Sequence, residues 1–146
     1  MTALSELAAR SHAATERHLS ETEFFVEHQK IRRALAPAHW EEFVKDLGKS
    51  SKAVNDTPTS QVRIVSERIG LHEFRLTNAG NGRQARFVYE PDMPRISYQG
   101  FDDGGYFAFT VNENGTAVQL FDPKRSITVL VNGLALDVMM YLTRSS

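Results

Sequence analysis

The stretch His72-Glu-Phe-Arg-Leu-Thr-Asn-Ala-Gly-Asn-Gly-Arg-Gln-Ala-Arg-Phe-Val-Tyr-Glu90 decides the fold of this chain. His72, Phe74 and Leu76 recur at every second residue, as do Ala85, Phe87 and Tyr89, which is the spacing of strands that bury one face. Between the two runs, Asn78-Ala-Gly-Asn-Gly82 supplies residues that accept a positive φ, so the pair is expected to close as an antiparallel hairpin.

The same period extends outward. Val62 and Ile64 precede the hairpin, and Pro91-Asp-Met-Pro94 follows it before Ile96 and Tyr98 resume the alternation. Gly100-Phe-Asp-Asp-Gly-Gly105 ends that segment. Phe107, Phe109 and Val111 alternate with Tyr106, Ala108 and Thr110, and Asn114-Gly115 marks a second tight turn from which Val118 and Leu120 return. After Asp122-Pro-Lys-Arg125 the run Ile127 to Val131 predicts one more strand, and a helix is expected from Leu134 to Leu142, behind Gly133. Short strands separated by frequent turn dipeptides predict a mostly antiparallel meander of six or seven strands.

Before this region the period is helical. Trp40, Phe43, Val44 and Leu47 stand at i, i+3, i+4 and i+7, with Glu41, Glu42, Lys45 and Asp46 on the other side. Ser20-Glu-Thr-Glu23 has the form of a capping box and predicts a helix start, with Phe24, His28, Ile31 and Leu35 as the stripe that follows. Pro37 predicts a break and a further helix running from it toward Lys52. Leu4, Leu7, Ala8 and Leu19 make only a weak stripe, as in an arm or a partner-dependent helix. The expected class is α+β, with two or three N-terminal helices on one face of the sheet and a short C-terminal helix. The helical part (1–56), the sheet part (61–131) and the last helix (134–142) each need the others to cover an apolar face, so residues 1–146 are expected to form one domain.

Composition narrows the function classes. The 146 residues carry 17 basic and 18 acidic side chains, a net charge of -1, which gives no long-range field toward nucleic acid or an anionic membrane. Without cysteine the chain can form neither disulfides nor thiolate metal sites. Leu134 to Leu142 is too short and, with Asp137, too polar to span a bilayer, and the N-terminus lacks the pattern of a secretory signal, so a cytoplasmic protein is expected. Histidines 12, 18, 28, 39 and 72 form no ligand motif, and no nucleophile elbow or phosphate-binding glycine loop occurs. No catalytic residue, metal site or cofactor is therefore assigned.

Two surfaces stand out. Alternation places Arg63, Arg75, Arg86 and Arg95 on the sheet face opposite the apolar set, with Tyr106 as a stacking surface, so this row could take a carboxylate, a phosphate or an acidic segment. Glu67, Glu73 and Glu90 fall on the same face, and cross-strand Arg–Glu pairing accounts for the row without any ligand. The second surface is apolar. Phe25, inside Phe24-Phe-Val26, and Met139-Met140, in a helix with almost no polar side, exceed what one core accommodates. The expected function is thus a non-enzymatic binding or protein-interaction domain, homodimeric, using the open sheet face or the C-terminal helix. Two alternatives remain: a small-ligand protein or enzyme with a pocket between helices and sheet, lined by Tyr89, Tyr98, His72 and arginines, and an anionic-partner binder using the arginine row. Gly100–Gly105, with Asp102 and Asp103, reads as a turn, because it lacks the alternating oxygen ligands of a calcium loop.

Overall fold

The computed structural model describes residues 3–57 and 62–144, with side chains described from Val26 onward. Seven strands form one sheet in chain order: β1 (Ile64–Ile69), β2 (Glu73–Asn78), β3 (Gln84–Glu90), β4 (Arg95–Gln99), β5 (Gly105–Val111), β6 (Val118–Asp122) and β7 (Ile127–Val129). Every neighbouring pair is antiparallel, so the α+β meander expected from the sequence is the architecture found. Register follows the apolar alternation. Phe74 stands opposite Phe87 and Phe87 opposite Tyr98, and Ile96 opposite Phe107, which gathers the large side chains on one face.

That face is covered by two helices. The first, α1, runs without interruption from Ala3 to Asn55, where the sequence predicted two or three separate helices. The capping box at Ser20 starts nothing because Ala- and Leu-rich sequence already propagates the helix from upstream. Pro37 lies inside the helix and withholds an N–H from the Arg33 carbonyl, a cost of about 3 kcal/mol in a helix interior. Ala36 just before it and Trp40, Phe43, Val44, Leu47 and Ser51 after it form one buried stripe. Burying a side chain of this size contributes about 1.5–3 kcal/mol, so three of them outweigh the proline.

At 1.5 Å per residue α1 is about 80 Å long, whereas seven strands spaced about 4.8 Å apart span only about 29 Å. Among the described side chains, the buried ones begin at Ala36. The Trp40 ring stacks on Phe43 and Tyr89, and its indole N–H donates to the Leu71 carbonyl at 3.0 Å. At the end of α1 the Asn55 carboxamide donates to the Ile64 carbonyl and accepts from the Ile64 N–H at 2.8 and 2.7 Å, pinning the helix to the start of β1.

The second helix, α2 (Val131–Thr143), begins three residues before the expected Leu134, and β7 is correspondingly shorter. Ala135, Val138, Met139 and Leu142 face the core. The last carbonyls of a helix have no partner within it. Here Asn78 and Asn81 donate to the Leu142 carbonyl at 2.7 and 3.0 Å, and Arg83 donates to Tyr141 at 3.0 Å. The β2–β3 hairpin therefore both turns the chain and caps α2. Among the described residues, no helix is long and apolar enough to cross a membrane.

Candidate functional site

On the sheet face turned away from the helices, the arginines are engaged by neighbouring carboxylates. Arg75 and Arg86 are cross-strand partners, and the two oxygens of Glu73 accept from them at 3.0 and 2.8 Å. Glu67, opposite Arg75, lies 4.0 Å from it. Hydrogen bonding to Arg86 holds the Glu73 carboxyl below the usual range, and the same contact raises Arg86. Arg95 pairs with Glu90 and lays its guanidinium over the Tyr106 ring, 4.8 Å from the centroid. Arg63 is exposed just before β1 and forms no ion pair among the described residues. Three arginines thus meet three glutamates, leaving a face that is nearly neutral.

The helix-bearing face is filled beneath α1 but open at one corner. Under α1, Phe43 packs edge-on to Phe87, and Tyr89 edge-on to Phe109, so those rings occupy the space between the helix and the sheet beside Tyr89. Tyr89 and Tyr98 are core residues, while His72 is exposed beside Tyr89 and borders a shallow hollow of about 310 Å³ with Pro37, Trp40 and Leu71. His39 is half-buried edge-on to Phe109, and burial lowers its pKa.

A larger groove, of about 550 Å³, lies between α2 and the corner of the sheet formed by β5 to β7. Cross-strand pairing puts Ile127 beside Asp122 and Val129 beside Leu120 on the helix side. α2 crosses above them and lines the groove through Leu134, Asp137 and Met140, together with Leu130 just before the helix. The apolar character remains in contact with solvent: Leu130 is 75% and Met140 is 56% exposed.

One end of the groove is polar and built from two turns. Asp122 is 1% exposed, accepts from the Lys124 N–H at 2.9 Å and binds Arg125 at 3.0 Å. The same Arg125 nitrogen reaches Asp102 at 3.0 Å. Its pKa is raised, chiefly by the hydrogen bond to Asp102 and next by that to Asp122. Asp102 and Asp103 both sit at positive φ, +49° and +60°, an unfavourable conformation for side-chain-bearing residues. Lys124 holds that loop by donating to the carbonyls of Asp102 and Gly104. The segment read as a plain turn is therefore a strained wall of the groove. Its Asp102 carboxylate is committed to Arg125, and among the described residues no cluster of His, Asp or Glu is placed to hold a metal.

Behind this wall Tyr98, stacked on Phe107, is 2% exposed, and its hydroxyl has no hydrogen-bond partner among the described residues. Burial, then the Asp122 and Asp102 charges, push its pKa from 10.0 up to about 12. The unfolded chain releases this proton first, so the stability due to the shift is complete below pH 10.0 and is lost as pH rises through about 12. Tyr98→Phe removes both the titration and the unpaired hydroxyl. Urea denaturation should show stability at neutral pH equal to or above that of the parent chain, and a shallower alkaline decline. A decline as steep as the parent's would contradict the assignment.

The two methionines behave differently. Met139 is 5% exposed and belongs to the core, whereas Met140 is 56% exposed and points outward. Consecutive helical residues differ by about 100°, which turns one in and the other out. Phe25 lies outside the described side chains. Leu130, Arg125, Asp137 and Arg144 were not marked by sequence pattern as site residues. The available signal was Ile127-Thr-Val-Leu-Val131, in which adjacent Val129, Leu130 and Val131 cannot all face one side.

No family model, curated protein or solved structure matches this chain.

Proposed function

We propose that this chain is a non-enzymatic interaction domain that works through the groove beside α2, which takes up apolar groups of a partner. One contrast supports the reading: Ile127, Leu130 and Met140 are exposed around the groove, while Arg75, Arg86 and Arg95 of the opposite sheet face are neutralised by their own glutamates. Exposed apolar side chains grouped around a concavity favour association, because covering them removes apolar area from water at about 25 cal/mol per Å². A small apolar ligand is the second reading. The groove volume of about 550 Å³ suits one, and Asp102, Asp122 and Arg125 converge at one end.

The probe for both readings is anilinonaphthalene sulfonate, an apolar anionic dye, added to dilute native protein. Its fluorescence should rise on mixing and fall at least about fivefold in response with Met140→Glu, whose exposed position spares the fold. No enhancement by the native chain, or equal enhancement by the variant, would rule out this groove as the binding surface.

A further inference from the structure

Resting on the groove reading, we infer that its partner is a second copy of this chain, with α2 packed antiparallel on the partner's α2 across a two-fold axis beside Met140. The outward side of the helix carries the argument. At 3.6 residues per turn, Gly133, Leu136, Asp137 and Met140 share the side opposite Ala135, Val138 and Leu142, which are buried, and Arg144, just past the end of α2, lines the same groove as Asp137 and Met140. Leu136 is 61% exposed, and a Cβ added at Gly133 would meet nothing within 4 Å, so this side offers apolar contact and a low spot where another helix can approach.

Its charges are self-complementary. Asp137 lies three residues before Met140 and Arg144 four residues after it, and neither forms an ion pair among the described residues. An antiparallel two-fold arrangement reverses the second helix, setting each Asp137 against the partner's Arg144 and the two Met140 side chains against each other. Two ion pairs then bracket an apolar centre. An isologous interface requires this kind of symmetry, because each surface must complement itself. An unrelated helix would have to present the opposite charges in reversed order, whereas a second copy already does. Centring the helices on Asp137 instead would oppose like charges, so the ion pairs also select the register. The net charge of -1 offers little general repulsion between copies.

Sedimentation velocity over a dilution series tests this with four proteins: native, Asp137→Arg, Arg144→Asp and the double exchange, each checked for native circular dichroism. The native chain is expected to sediment as a dimer. Each single exchange should weaken association at least about tenfold, and the double exchange should restore most of it. A native chain that stays monomeric overturns the second-copy inference. If that monomer still enhances dye fluorescence through Met140, the groove survives as a site for another partner, and if it does not, both readings fail. A dimer indifferent to the single exchanges, or not restored by the double one, also overturns the inference.

Discussion

Trp40→Ala is expected to lower the unfolding free energy by about 3–5 kcal/mol, a large share of the roughly 5–15 kcal/mol that holds a domain folded. The indole is buried between Phe43 and Tyr89 and joins α1 to the β1–β2 turn through its bond to the Leu71 carbonyl. Truncation leaves a cavity at the point where the helix meets the sheet and removes the donor from that carbonyl. Trp40→Phe retains the stacking but not the N–H, and should cost nearer 1–2 kcal/mol. Urea denaturation followed by circular dichroism distinguishes these outcomes. A loss below about 1 kcal/mol for the alanine variant would mean that α1 does not rest on the sheet through Trp40.

Gly100→Ala is the second large effect. Gly100 has a φ of +75°, and an added Cβ would stand 2.1 Å from the Gln84 carbonyl oxygen, a backbone atom that no rotamer change can move aside. The left-handed backbone alone costs a side-chain-bearing residue about 1–2 kcal/mol, and parting β3 from the β4–β5 loop should bring the total to about 4 kcal/mol or more. Gly104→Ala is the control. Its φ is similar, +78°, but the nearest atom to an added Cβ is the Tyr98 carbonyl oxygen at 3.4 Å, so only the conformational cost is expected. Equal thermal-unfolding shifts for the two variants would contradict the close approach of this loop to β3.

The sheet was legible because its signal is local: Phe74, Leu76, Ala85, Phe87 and Tyr89 alternate within a few residues, and their register carries the pattern from strand to strand. The continuity of α1 was not. A proline and a capping box are local signals, whereas the burial of Trp40, Phe43 and Leu47 that outweighs them depends on strands far along the chain. The same separation concealed the second role of Asn78, Asn81 and Arg83, whose helix-end partners lie about sixty residues away. For the arginine row, alternation placed Arg75, Arg86 and Arg95 on one face and their glutamates beside them, but the length of strand needed to share Glu73 between two arginines appears only in the register. Met139-Met140 showed that the last helix was too apolar for one core, and the helical rotation decides that Met140 is the exposed member.

The proposed interaction rests on the outward side of α2, where Leu136 and Met140 are exposed. Its neighbours are occupied: the core side by the sheet, the helix end by the β2–β3 hairpin, and Arg75, Arg86 and Arg95 of the far sheet face by carboxylates. The chain contains no cysteine, so Met140→Cys creates a protein with a single thiol. Treated with a short bis-maleimide at moderate dilution, this variant is expected to be captured as a covalent dimer, while Asp92→Cys, exposed on the turn between β3 and β4, remains single. Equal capture at both positions, or none at Met140, would contradict the two-fold contact between C-terminal helices.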